Sequence, residues 1–150
     1  MAKFIYRMQN ILNIKEKLEE QARNDYAAQR AVLNEAEDEE ERLRDTKKSY
    51  EKEAVKLRSD SLNIREIEEN TNAIAILDRF IKEQHQVVER EEEKLEERRA
   101  ELEEAIKERK TQEKLKEHAF DEFKAEINHQ EAKEIDELTS YTFGAKKRGK

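Results

Sequence analysis

The chain has 150 residues, 46% of them charged and 35% hydrophobic, with no Cys, Pro or Trp and a net charge of −7. Lack of Cys excludes disulfides, thiolate metal sites and a cysteine nucleophile, and the acidic balance argues against general nucleic-acid binding. No Gly or Pro precedes Gly144, so the composition is that of long helices, with too little apolar side chain to close a compact core around a pocket.

The N-terminal residues Phe4, Ile5, Tyr6 and Met8 are apolar, but Lys3, Arg7, Gln9 and Asn10 interrupt them. They form no continuous apolar run of the kind a signal peptide needs, and no segment approaches membrane-spanning length. The expectation is a soluble, intracellular protein.

A first helix is predicted over residues 3–58. One heptad column runs through Ala22, Gln29, Ala36, Leu43, Tyr50 and Leu57, and its companion through Tyr26, Leu33, Glu40, Lys47 and Ala54. Alternation of three and four residues keeps a narrow seam facing a partner helix. Phe4, Met8, Ile11 and Leu18 are expected to extend this stripe towards the N-terminus, with Ile5, Leu12 and Ile14 widening it.

Residues 59–63, Ser-Asp-Ser-Leu-Asn, compete for backbone hydrogen bonds, and Asn63 with Glu66 resembles a capping box at the start of a new helix. A turn between two antiparallel helices is the preferred reading. One unbroken helix carrying a stammer, paired in a parallel dimer, remains open at this point.

A second helix is predicted over 63–138, with Gly144 as a stop signal and a flexible basic tail at 141–150. Aliphatic residues recur every seventh position at Ile67, Ile74, Ile81, Val88, Leu95 and Leu102. The companion positions are read as Thr71, Asp78, His85, Glu92 and Arg99, so the seam is half polar and the hairpin weakly stable. A fold back near residue 61 sets position 4 opposite about 118. The whole chain, 1–150, is treated as one all-α coiled-coil hairpin.

Two surfaces stand out. Ile76 and Phe80 project off the seam, with Ala73, Leu77 and Val87 nearby, and exposed apolar clusters of this kind are interaction surfaces. At the paired ends, Phe4, Arg7, Met8, Ile11 and Lys15 meet Arg109, Lys110, Lys114 and Lys116. Arg109 and Lys116 occupy column positions where Leu or Ile is expected, which suggests loosened pairing and cations turned towards an acidic partner or solvent. No catalytic residue, cofactor site or metal site is assigned: His85, His118 and His129 lack ligand spacing, and there is no Gly-rich phosphate loop.

The stretch Phe4–Lys15 with Leu18-Glu19-Glu20-Gln21 resembles the opening of the flagellar FliJ family, and Glu108–Glu117, Ala119-Phe120 and Lys133–Leu138 resemble its closing segment. The resemblance covers the whole chain. It implies an antiparallel two-helix coiled coil similar to the rotary ATPase gamma-subunit stalk, and a non-enzymatic coupling factor of flagellar type III export. It further implies a cytoplasmic protein, monomeric when free, that reaches the membrane only through partners. Those partners are the hexameric export ATPase, the cytoplasmic domain of the export-gate protein, and export chaperones that the protein escorts. Phe4, Arg7, Met8, Ile11, Lys15, Arg109, Lys110, Lys114 and Lys116 would meet the ATPase; Ala73, Ile76, Leu77 and Phe80 would meet the gate. From a different class, a structural spacer or dimerisation module would give a parallel dimer by mass. A prefoldin-like clamp is disfavoured, because residues 59–63 are too few to supply a β-hairpin.

Overall fold

The computed structural model describes residues 2–59 and 61–148. Two helices account for the fold: α1, Gln9–Ser59, of 51 residues, and α2, Ile64–Arg148, of 85 residues. They pack against each other as an all-α hairpin.

The break at the turn has a local cause. Asn63 accepts hydrogen bonds through Oδ1 from the Arg65 and Glu66 amides, at 3.1 and 3.4 Å, and its own carbonyl accepts the Ile67 N–H at 3.1 Å. This is N-capping of α2: a short side chain satisfies amides that the first helical turn leaves without partners. At the end of α1, Ser59 Oγ turns back to the Lys56 carbonyl at 3.0 Å. Asp60 lies outside the described residues.

Packing divides the chain into two units, one of Glu20–Glu104 and the other of Met1–Glu19 with Ala105–Lys150, where the sequence is read as one. The division falls where the seam changes composition. In the unit 20–104, Leu33, Ala36 and Val88 form a buried cluster, with Val87 and Leu95 against it. In the other unit Leu12 is the one buried apolar residue among the described residues, and Glu19 is buried with it.

The α1 columns continue backwards from Leu33 in sevens. They reach Tyr26, Glu19 and Leu12, with Ala22 and Lys15 alongside. The N-terminal stripe is therefore shifted from the one expected: Leu12 is buried, while Met8, Ile11, Ile14 and Leu18 are exposed. Counting out from Met8 ignores the frame that Leu33 sets.

On α2 the Ile67–Leu102 column faces α1, but its companion is not Thr71, Asp78, His85 and Glu92, which are exposed. It is Asn70, Leu77, Gln84 and Glu91, three residues on rather than four. Asn70 is buried and the other three half-buried. The amides suit these places because α1 satisfies them. Asn70 Nδ2 donates to the Tyr50 carbonyl at 3.0 Å and Gln84 Nε2 to the Ala36 carbonyl at 2.9 Å. A buried carboxylate at Asp78 would lose hydration without such a return; exposed instead, it pairs with Lys47 at 2.6 Å.

Both helix bounds differ from the sequence reading. α1 begins at Gln9, not at residue 3, because residues 3–8 leave the helix and bring Phe4 onto Phe120 and Phe123. α2 continues past 138 through Gly144 to Arg148, so the segment 141–148 is helical where a tail is expected. Gly144 has no positive φ and provides no left-handed stop. Gly149 and Lys150 lie outside the described residues.

Candidate functional site

The paired ends are organised by an aromatic clasp. The Phe4 ring meets Phe120 edge-on at 5.1 Å between centroids and Phe123, tilted, at 5.4 Å. Such offset geometry sets the positive ring edge against a neighbouring face. The contact between residues 4 and 120 follows the expected fold back. On the outer side Lys124 Nζ sits 4.9 Å from the Phe120 centroid.

Below the clasp comes a charged layer. Lys15 Nζ bonds Glu108 Oε2 at 2.9 Å across the seam. Arg109 pairs across the seam with buried Glu19, and along its own helix with Glu113 at 2.8 Å. The hydrogen bonds that Arg109 donates to the Glu113 and Glu19 carboxylates raise its pKa, so the guanidinium holds its proton more firmly than usual. Gln112 Oε1 and the Tyr6 hydroxyl are buried in this unit without a hydrogen-bond partner among the described residues.

These contacts revise the reading of the cations. Arg109 does not loosen the seam to face a partner; it is half-buried and closes an ion pair with Glu19. Lys15 is likewise engaged with Glu108, and half-buried Lys116 lines a shallow groove with Phe4, Leu12 and Phe120. Arg7, Lys110 and Lys114 are exposed. The sequence carried the signal for these pairings. Counting in sevens from Leu33 and from Leu102 lands Glu19 and Arg109 on facing columns with opposite charge.

The same frame exposes a surface that sequence reasoning had assigned to the seam. Ile11, Ile14 and Leu18 recur at three and four residues along one flank of α1, with Met8 at its start, and all are exposed. On a helix that spacing makes one stripe. Leu115 of α2 is also exposed. This unit thus mixes charged and apolar residues in its seam, Leu12 buried beside Glu19, and leaves a further aliphatic stripe outside.

In the unit 20–104, Ile76 and Phe80 are exposed, at 45% and 42%, one helical turn apart. Ala73 and Leu77, predicted with them, are half-buried towards α1, Leu77 as a member of the seam. Phe80 borders a shallow groove with Leu43, Val87 and Arg90, and the Arg79 guanidinium carbon lies 5.7 Å from its ring centroid. The sequence reading places Leu43 only in the α1 seam and singles out no role for Arg79, so neither is expected beside Phe80. His85 is exposed, between Glu40 at 2.7 Å and Glu89 at 3.1 Å.

A helical hairpin with hydrogen-bonded polar seams and outward apolar patches defines a class: an all-α coiled-coil protein. The chain matches the family model of the flagellar FliJ protein over residues 4–148, and it belongs to that family. Membership assigns a flagellar export-related role in a family of non-catalytic components. No curated protein and no solved structure matches the chain. Among the described residues, no helix is long and apolar enough to cross a membrane.

Proposed function

We propose that this protein is a non-enzymatic coupling factor and escort of flagellar type III protein export, working from the cytoplasm at the inner-membrane export apparatus. In this reading the paired ends seat in the hexameric export ATPase and favour its assembly, and the Ile76–Phe80 face binds the cytoplasmic domain of the export gate. Escort of export chaperones belongs to the same reading. Family membership over residues 4–148 carries it. The supporting geometry is the exposed Met8, Ile11, Ile14 and Leu18 stripe, in the same unit as exposed Arg7, Lys110 and Lys114. Lys15, Arg109 and Lys116 then act by holding that end together, and Ala73 and Leu77 by supporting Ile76 and Phe80.

A protein that binds the assembled ring better than its free subunits shifts assembly by that difference in affinity. Added to its cognate export ATPase at low enzyme concentration, the protein is expected to raise both turnover and the hexamer fraction. No change in either would overturn the ring assignment. The double variant Ile76→Ala, Phe80→Ala is expected to weaken gate binding at unchanged helicity by circular dichroism. Loss of helicity in parallel with binding would make the patch merely structural.

A further inference from the structure

The two helices begin in different ways. α2 starts at a cap, with Asn63 Oδ1 accepting the Arg65 and Glu66 amides at 3.1 and 3.4 Å. α1 starts at Gln9, behind Met8, whose side chain offers no oxygen for that purpose, and its first turn holds no acidic residue. There the Gln9 amide donates to the Tyr6 carbonyl at 3.2 Å, and the Ile11 and Leu12 amides to the Met8 carbonyl at 3.0 and 3.1 Å. Residues 3–8, Lys-Phe-Ile-Tyr-Arg-Met, contain no Gly or Pro, and no Ser, Thr, Asp or Asn to cap a helix that begins after them. Nothing local stops α1 at Gln9. What the non-helical path gains is the seat of Phe4 on Phe120 and Phe123, at 5.1 and 5.4 Å between ring centroids. Against it stands the Tyr6 hydroxyl, buried without a hydrogen-bond partner among the described residues.

A continuing helix puts Phe4 elsewhere. Seven residues are two helical turns to within about 20°, so a helical Phe4 lines up with Ile11 and Leu18 of the exposed stripe. We infer that residues 3–8 are a strap with two positions. In one, the position of this structure, Phe4 rests on Phe120 and Phe123. In the other the strap continues α1, and Phe4 heads the stripe of Met8, Ile11, Ile14 and Leu18. The docked position shortens the apolar stripe; leaving it lengthens the stripe and frees the Phe120 and Phe123 rings from Phe4. A partner that grips the stripe selects the helical position, by as much as it prefers that form over the docked one. This last step, and no other, rests on the reading in which the paired ends seat in the export ATPase.

Backbone carbon chemical shifts of residues 3–8, measured by NMR on the full chain, test the strap. Wild type is expected to show non-helical values there. Phe120→Ala with Phe123→Ala leaves the strap sequence intact and removes its seat. That double variant should move the equilibrium towards helix by about thirtyfold, giving helical values at 3–8. Unchanged shifts over 26–54 check that the hairpin still stands. Adding Met8→Asp to it supplies the missing cap at Gln9 and should draw the strap back out of the helix by about fivefold. Random-coil values at 3–8 in the double variant, or helical values in wild type, would overturn the inference. So would a triple variant as helical at 3–8 as its parent. Titration with the export ATPase separates the strap from its use. The double variant should bind more tightly, because the competent form is already populated. Helical values with unchanged affinity would sustain the strap and overturn its use by the ring.

Discussion

The two units solve the same packing problem with opposite materials. In 20–104 the seam buries Leu33, Ala36, Ile81 and Val88, and its polar members Asn70 and Gln84 donate to the opposing backbone. In the unit of 1–19 and 105–150 the seam positions below Leu12 include Lys15 and Glu19 on α1 and Arg109 and Gln112 on α2, while Met8, Ile11, Ile14 and Leu18 lie outside. Burying aliphatic surface is the larger source of stability, whereas a buried ion pair roughly balances its own desolvation. The first unit is therefore built to hold, and the second to present a surface at modest stability.

The largest way to break this contrast is in the seam of 20–104. Leu33→Ala removes a side chain only 4% exposed and should cost about 2–3 kcal/mol in chemical unfolding. Leu18→Ala, on the exposed flank, should cost less than about 0.5 kcal/mol. Equal costs would erase the distinction between seam and flank. Phe4→Ala removes both ring contacts of the clasp and should cost about 1–2 kcal/mol, read as faster amide exchange over 9–19 and 116–127 only. Spread of that effect into 20–104 would mean that the two units unfold as one.

Acid sharpens the comparison further. Gln29 Nε2 donates to both the carboxylate and the carbonyl of Glu91, and that bond, with Lys94 nearby, holds the Glu91 carboxyl below the usual carboxylate range. A depressed carboxyl pKa adds stability that is complete above the unfolded-state value and disappears as pH falls through the folded-state value. The gap in melting temperature between wild type and Gln29→Ala should be full at neutral pH and narrow in the acid range. A gap that widens on acidification would contradict the assignment. A small effect of the opposite sign is expected at Gly144, where an added Cβ meets no atom within 4 Å. Gly144→Ala should stabilise the last turns of α2 by about 0.4–1 kcal/mol, seen as higher helicity.

The hairpin was legible in the sequence because Ile67 to Leu102 keeps a strict seven-residue period and Asn63 supplies a recognisable cap. The companion column on α2 was not. A period gives one column, and choosing between three and four residues on requires knowing which side chains α1 can satisfy, as it does Asn70 and Gln84. At the paired ends several seam residues are charged, so apolar periodicity alone points to Ile11 and Leu18 and leaves Arg109 looking like an outward cation. Ile76 and Phe80 were found correctly as off-seam residues, since their exposure depends only on the period. The reach of α2 beyond 138 was missed because a Gly in the sequence does not reveal its φ.

Amide hydrogen exchange on the full chain tests the division of labour most directly. Protection is expected to be highest over 26–54 and 67–95, and clearly lower over 9–19 and 105–127, where charges fill the seam. Uniform protection along both helices, or slower exchange at the paired ends, would contradict an account in which the aliphatic seam holds the hairpin and the more charged one adds less stability.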